Sequence, residues 1–255
     1  MQVSANDSAM RMLSKVPEVS IFFWFIKIMA TTVGETAADF LNVNLHFGLT
    51  GTSIAMGGIL ITFLTIQIKS RQYTPWIYWV TVVLLSVFGT LLTDNLVDNF
   101  GVSLQTCTVI FGGALLTTFA AWYAIEKTLS IHSIYTMRRE LFYWAAILFT
   151  FALGTAAGDM AAEGLHLGYA NSVLIFGAMI AAVALLHYMF KFNAIASFWV
   201  TYILTRPLGA SCGDLLSKPF TEGGYGMGTT GTSIIFLVAI LGMVVNLIMS
   251  EKEKI

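Results

Sequence analysis

The sequence has very little charge. Only 11% of its 255 residues are Asp, Glu, Lys or Arg, whereas 57% are hydrophobic, and the net charge is -1. A soluble domain carries roughly a quarter charged residues, so we expect an integral membrane protein surrounded by the lipid bilayer. No basic run is present, which argues against binding to nucleic acid. The two cysteines, Cys107 and Cys212, lie in apolar segments and are expected to be small buried side chains rather than a disulfide or a metal pair.

Sequence motifs typical of catalysis are also lacking. There is no nucleophile suitably spaced from a base, no zinc motif of the H-E-x-x-H type and no phosphate-binding loop. The polar connections are too short to form an independent catalytic domain. We therefore do not expect an enzyme, and no pattern indicates a cofactor.

Long apolar segments fill most of the chain. A helix needs roughly 20 mostly apolar residues to cross a bilayer, and eight segments are candidates: 19–41, 51–68, 76–97, 102–125, 140–162, 168–190, 195–216 and 230–249. The first is long enough to span and lacks a clear small-residue cleavage site, so we expect a permanent helix rather than a signal peptide. The sequence predicts an all-α membrane protein with eight transmembrane helices and one integral membrane domain, 1–255.

Basic residues fall almost entirely on one side of this arrangement. Ten of the 13 Lys and Arg residues lie before the first helix, after the last helix, or in the connections that follow the second, fourth and sixth helices. Lys218 is the single basic residue in the opposite connections. Because cytoplasmic loops are rich in Lys and Arg, both termini are predicted to be cytoplasmic.

The odd-numbered predicted helices share one ungapped pattern: an aromatic residue, Trp, nine residues, Gly, three residues, a small residue and Asp. The Trp residues are Trp24, Trp79, Trp144 and Trp199; the Gly residues are Gly34, Gly89, Gly154 and Gly209; the small residues are Ala38, Thr93, Gly158 and Gly213; and the Asp residues are Asp39, Asp94, Asp159 and Asp214. The pattern defines four repeats, at about 16–74, 75–135, 136–193 and 194–250. Each contains two spans, so the repeats are predicted to be parallel around an axis along the membrane normal.

This arrangement resembles a bacterial family of membrane proteins that contain four tandem two-helix repeats, each with a characteristic Trp. The family is described only as uncharacterised and membrane-anchored. The resemblance extends from about residue 16 to residue 250. It implies eight transmembrane helices in a bacterial inner membrane, and it implies no particular activity.

The Trp and the small residues have separate predicted roles. Each Trp lies near the start of its helix, at the predicted cytoplasmic interface, where indole rings act as anchors; packing between repeats is the alternative. The Gly and the small residue are four positions apart on one helical face, which predicts close packing of helices. A local helix break is the alternative reading of the Gly, notably beside Pro207.

The repeat Asp residues are candidates for a cation site. Each lies about 22 Å along its helix from the Trp, toward the outer side of a hydrocarbon core about 30 Å thick. Carboxylates in a membrane are costly unless they are paired, protonated or hydrated, so we predict that the four Asp and Glu35 bind a metal ion or a proton. The alternative is that each Asp hydrogen-bonds to backbone groups where its helix ends.

Two basic residues lie within the predicted spans. Lys27 is eight residues before Glu35, about 12 Å along the helix, so an ionic partner would have to come from another helix. Arg206 lies in the seventh predicted helix, whereas Val82 and Ile147 replace Lys27 in the second and third repeats. We interpret Lys27 and Arg206 as charge balance for a cation pathway; buried ion pairs that hold the repeats together are the alternative.

Further polar residues are expected on the outer side as an acidic vestibule, namely Asp98, Glu163, Glu222, His46 and His166. Oxygen ligands favour Mg²⁺, Ca²⁺ or Mn²⁺, and the two imidazoles slightly favour Mn²⁺ or Zn²⁺. The sequence thus predicts proton-coupled transport of a small cation as substrate, with a carboxylate-ringed channel as a subordinate version. The alternative is a non-transporting membrane module, such as a sensor, subunit or scaffold, whose Asp, Lys and Arg network is structural.

Overall fold

The computed structural model describes residues 15–44 and 48–252, and no β-strand occurs in those two ranges. Eight long helices are numbered here in chain order: α1 Ile21–Asp39, α2 Gly48–Lys69, α3 Pro75–Asp94, α4 Leu104–Glu126, α5 Met137–Asp159, α6 Tyr169–Phe190, α7 Ala194–Ser217 and α8 Gly228–Lys252. The predictions of an all-helical protein and of eight long helices are confirmed.

Polar residues define where several helices begin. The hydroxyls of Ser20, Ser103 and Thr136 accept hydrogen bonds from backbone N–H groups in the first turns of α1, α4 and α5. The side-chain oxygen of Asn193 does the same for α7, and Pro75 occupies the start of α3. These residues satisfy or remove N–H groups that have no partner within the helix.

Most of the long helices have the composition of membrane spans. Seven of them are long and apolar enough to cross a membrane. The remaining helix, α7, has 24 residues but contains Arg206 and Pro207 in its interior. The seven apolar helices support a multi-pass membrane protein.

The odd-numbered helices form a closed inner ring. Helix α1 packs against α3, α3 against α5, α5 against α7, and α7 against α1. The even-numbered helices lie outside this ring: α2 packs on α3, α4 on α5, α6 on α7, and α8 on α1. Between 61% and 67% of the residues in the apolar spans of α1, α3 and α5 are buried, compared with 6% to 22% for the outer helices. The inner ring therefore forms the core.

The repeat glycines lie where neighbouring helices of the ring meet. Each faces the residue that follows the next repeat's Trp by seven positions: Gly34 faces Ser86, Gly89 faces Phe151, Gly154 faces Arg206, and Gly209 faces Thr31. A Cβ atom at any of these glycines would overlap the facing side chain. These four interfaces are close because glycine has no side chain there.

The small residues four positions later lie at the same interfaces. Ala38 is buried beside α3, and Thr93 donates a hydrogen bond to the Ala152 carbonyl of α5 at 3.0 Å. Gly158 lies against Pro207 of α7, and Gly213 lies against α1. The Gly and the small residue of each repeat therefore form the packing interface, or inner seam, between successive inner helices.

Three of the four repeat Trp rings are buried between helices. Trp79, Trp144 and Trp199 are 1%, 4% and 4% exposed, and they belong to one hydrophobic cluster. The indole N–H of Trp199 donates to the Leu129 carbonyl at 2.9 Å. Packing between repeats, the alternative role, describes these three rings because they face other helices, and the interface-anchor role stays a prediction. Trp24 is half-buried.

Candidate functional site: a charged column inside the helix ring

The inner ring encloses a column of side chains drawn from equivalent repeat positions. Positions 3, 7, 11 and 15 after each Trp are four residues apart, so they lie about one helical turn apart on one face. We call the resulting set the axial column, and its layers are Lys27, Val82, Ile147 and Tyr202; Thr31, Ser86, Phe151 and Arg206; Glu35, Thr90, Thr155 and Ala210; and Asp39, Asp94, Asp159 and Asp214. Every side chain in the first three layers is at most 6% exposed.

Arg206 lies at the centre of this column. Its Nη2 atom donates to the Glu35 carboxylate at 2.8 Å, to the Thr155 hydroxyl at 2.7 Å and to the Thr90 hydroxyl. Its Nη1 atom donates to the Thr31 carbonyl at 3.1 Å. Glu35, Thr90 and Thr155 occupy the same position in the first three repeats, so a guanidinium from the fourth repeat fills a ring of oxygen atoms from the other three.

Lys27 has quite different surroundings. It is fully buried, and its Nζ has no hydrogen-bond partner in the described part of the chain. It lies 4.0 Å from the centre of the Phe151 ring and 4.3 Å from the centre of the Tyr202 ring. Lys27 is thus held by two aromatic faces, which attract an ammonium group. The ion pair to another helix that the spacing left open for Lys27 is not formed among the described residues, where Glu35 pairs with Arg206 instead.

Carboxylates converge at one end of the column. One oxygen each from Glu35, Asp159 and Asp214 lie within 4.8 Å of one another, a spacing that could hold a metal ion. Asp39 and Asp94 also interact electrostatically with Glu35. We call these five residues the carboxylate cluster. The ring therefore brings three of the five residues predicted to bind a cation within 4.8 Å of one another, whereas Asp39 and Asp94 are not part of that set.

Asp214 is the most buried of the four repeat Asp residues. It is 6% exposed, and its carboxylate accepts no hydrogen bond from any residue in the two described ranges. Asp39, Asp94 and Asp159 are half-buried. The alternative role of the Asp residues, as caps that hydrogen-bond to backbone groups, is not formed at Asp94 or Asp159.

The first three inner helices change geometry directly after their Asp. Each continues into a π-helical turn, at Phe40–Asn44, Asn95–Asn99 and Met160–Gly164, whereas α7 stays α-helical to Ser217. Such wide turns are often found at functional sites. Repeat spacing alone did not indicate them, because a π-helical turn has no simple sequence signal.

Two of the residues predicted for an acidic vestibule lie beside the cluster. Asp98 and Glu163 are exposed in the π-helical turns, where they interact electrostatically with Asp94 and Asp159. Glu222 and His166 are exposed in connections, and His46 lies outside the described residues. The carboxylate cluster therefore contains oxygen ligands and no described imidazole.

Lys218 adds a positive charge that the sequence analysis did not assign to the site. Its Nζ lies 3.3 Å from the Asp39 carboxylate. Burial lowers the pKa of Lys218, but the neighbouring carboxylates of Asp39 and Asp214 outweigh burial and raise that pKa above its usual value. The signal was available, because Lys218 occupies the repeat position of Asp98 and Glu163.

The other end of the column is closed by aromatic side chains. Tyr78, Tyr143 and Tyr202 are at most 1% exposed, and the hydroxyls of Tyr78 and Tyr143 form a hydrogen bond. Trp79 packs edge-on against Tyr78, with ring centres 5.1 Å apart. Among the described residues, the column is thus filled by buried aromatic side chains at this end, whereas Asp39, Asp94 and Asp159 at the other end are half-buried.

Comparisons with known proteins identify the repeat. Residues 22–73, 77–128, 142–193 and 197–253 each match the family described as Repeat of Unknown Function (DUF347). No curated protein and no solved structure matches the chain. Because the four matched segments cover most of the chain, the protein belongs to the family built from this repeat, here present in four tandem copies.

Proposed function

We propose that this protein transports a small cation across a membrane and that the carboxylate cluster is its binding site. The observation that carries the proposal is the convergence of Glu35, Asp159 and Asp214, within 4.8 Å of one another, at one end of a buried column. Ionisable groups inside a membrane are costly and usually functional. Four repeats contributing one Asp each to the same end give a site that no single repeat could form.

The ligand chemistry favours a hard divalent cation. Carboxylates and hydroxyls are the groups available in the column, and oxygen ligands suit Mg²⁺, Ca²⁺ and Mn²⁺. Neighbouring carboxylates repel one another, which favours either a bound cation or bound protons. Release of protons when the cation binds would couple the two, so we propose proton-coupled transport.

The closed column favours a carrier over an open channel. Beyond the carboxylate cluster, the path is filled by the side chains of Arg206 and Lys27 and by the buried tyrosines. A cation that enters from the cluster can continue only if the inner helices rearrange. The closed ring of inner helices, with equivalent positions at each interface, supports four parallel repeats about an axis along the membrane normal.

The distribution of basic residues supports an orientation for this carrier. Lys69, Arg71, Lys127 and Lys191 lie at or just beyond the C-terminal ends of α2, α4 and α6, on the side opposite the carboxylate cluster. By the positive-inside rule that side faces the cytoplasm. We therefore propose a bacterial inner-membrane location with both termini cytoplasmic and the carboxylate cluster near the outer face.

Uptake into proteoliposomes tests the proposal. Purified protein would be reconstituted with internal dyes for pH and for divalent metals, and Mn²⁺, Mg²⁺ and Ca²⁺ would be supplied outside. We expect cation uptake accompanied by proton movement, and a loss of at least about tenfold in the folded Asp159→Asn, Asp214→Asn double variant, because it removes two of the three converging carboxylates and about 1.4 kcal/mol of lost binding energy already gives a tenfold change.

Glu222→Gln is the matched control, because it removes an exposed carboxylate that is not part of the carboxylate cluster. It should transport as the native chain does. Uptake by the double variant at the native rate would refute a role for these carboxylates.

A non-transporting membrane module is the second candidate. It is favoured by the bonds of Arg206, which ties together groups from four inner helices as a structural crosslink would. Native protein that folds and reconstitutes but moves none of the three cations or protons would support this candidate over transport.

A further inference from the structure

We propose that Arg206 is a tethered cation that competes with the transported cation for the Glu35 carboxylate. The inference rests on the proposed function and deepens it by assigning a regulatory role to a residue in the same column. Glu35 is shared: it accepts a hydrogen bond from Arg206 at 2.8 Å and is also one of the three carboxylates within 4.8 Å of one another. A cation at the cluster and the Arg206 guanidinium would therefore be bound by the same carboxylate.

The environment of the Nη2 atom is that of a bound cation. Three oxygen atoms surround it, one from each of the first three repeats. The fourth repeat has Ala210 at the equivalent position, so it contributes no ligand and leaves space for its own arginine. The guanidinium thus occupies an oxygen cage that a free cation could enter after Arg206 withdraws.

Asp214 provides further evidence that the cluster awaits a ligand. The residue is more than nine-tenths buried, one of its carboxylate oxygens lies within 4.8 Å of oxygens of Glu35 and Asp159, and no donor to its carboxylate is found among the described residues. A buried carboxylate without a donor is costly. A bound cation would compensate the charge of Asp214. Arg206 does not, because its direct ion pair is with Glu35.

Pro207 gives α7 a means of moving Arg206. Proline has no N–H group, so the hydrogen bond to the carbonyl four residues earlier, at Ile203, is lost. The ring of Pro207 packs beside Gly154 and Gly158 of α5. Among the inner helices as described, α7 is the one with a proline in its interior. The missing backbone hydrogen bond of α7 therefore lies next to the tethered cation, where a hinge could move it.

Mn²⁺ binding to the purified full-length protein tests this competition directly. Titration calorimetry would compare the native chain, Arg206→Gln and the control Arg138→Gln, which removes an exposed guanidinium that is not part of the axial column. We expect Arg206→Gln to lower the Kd for Mn²⁺ about tenfold, within the range typical of coupling between sites. Arg138→Gln should bind Mn²⁺ with the native affinity.

The outcomes separate this inference from the proposed function. Native protein that binds Mn²⁺, together with an Arg206→Gln variant that binds it no more tightly, would overturn the competition and leave the cation site standing. Absence of Mn²⁺ binding in both proteins would overturn both proposals. Tighter binding combined with slower uptake in proteoliposomes would support Arg206 as the group that releases the cation.

Thermal unfolding measurements show whether the Arg206→Gln variant is folded. Removing Arg206 leaves Glu35 buried without its ion pair, and a ligand that binds only the folded state raises the Tm. We expect saturating Mn²⁺ to raise the Tm of Arg206→Gln more than that of the native protein. If Arg206→Gln cannot be purified, Arg206→Lys replaces the guanidinium with a single ammonium group that cannot make the same set of bonds. An unchanged Mn²⁺ affinity in a folded Arg206→Lys variant would count against the competition.

Discussion

The first and fourth repeats differ from the second and third at the positions that line the column. The first repeat contributes Lys27 and Glu35, and the fourth contributes Arg206, whereas the middle repeats present apolar side chains and the hydroxyls of Thr90 and Thr155. All four repeats nevertheless retain the Gly, the small residue and the Asp. One set of positions thus builds the ring in every repeat, while the basic residues of the column and Glu35 are confined to α1 and α7, which are neighbours in the ring.

The largest expected effect is at the ion pair between the first and fourth repeats. Glu35→Gln or Arg206→Gln alone should lower the free energy of unfolding by about 3–5 kcal/mol, because each leaves a buried charge without its partner. The double variant should be more stable than either single variant. Thermal unfolding in detergent without divalent cations would measure all four proteins.

Thr155→Val is the control from a middle repeat, since it removes one hydroxyl partner of Arg206 and keeps the ion pair. Thr155→Val should lower the free energy of unfolding by about 1–3 kcal/mol. If Glu35→Gln and Arg206→Gln were no less stable than Thr155→Val, the terminal repeats would contribute no more to stability at these positions than the middle repeats do.

Replacing the repeat glycine between inner helices should lower the free energy of unfolding in every repeat. Gly209→Ala places a Cβ atom against Thr31, and Gly89→Ala places one against Phe151, so both are expected to lose about 1–3 kcal/mol through overpacking. Unfolding temperatures of the two variants would show whether a terminal and a middle repeat respond alike.

Gly113→Ala is the matched control on outer helix α4, where an added Cβ meets no atom within 4 Å. We expect it to be neutral or stabilising by up to about 1 kcal/mol, because alanine favours helix more than glycine does. A loss of stability equal to that of Gly209→Ala would argue against a special role for the inner seam.

The smallest expected effect is at the ion pair between Lys218 and Asp39. Lys218→Met should cost less than about 1 kcal/mol, since both side chains are partly exposed. The folded pKa of Lys218 is raised, so its contribution is fully present below the unfolded pKa of about 10.4 and is lost only as pH rises through the folded value.

The difference in Tm between native protein and Lys218→Met should therefore stay constant from pH 7 to about pH 10. A difference that disappears within this interval would show that the carboxylates of Asp39 and Asp214 do not hold the proton on Lys218.

The sequence by itself determined the helices, the four repeats and the family. Apolar length and periodicity are local properties, and the ungapped spacing from Trp to Asp places Asp39, Asp94, Asp159 and Asp214 at one level of their helices. The same spacing placed each Gly and its small residue on one face. Glu35, Lys27 and Arg206 stood out because charge within an apolar span is costly.

Only the tertiary structure decided which of these groups meet. The order of helices in the ring puts α1 beside α7, so that Glu35 pairs with Arg206 and Lys27 is left between aromatic rings. It also buried Trp79, Trp144 and Trp199 between helices. Spacing specifies which residues share a helical face, but the neighbour and the rotation of that face are set by packing between segments far apart in the chain.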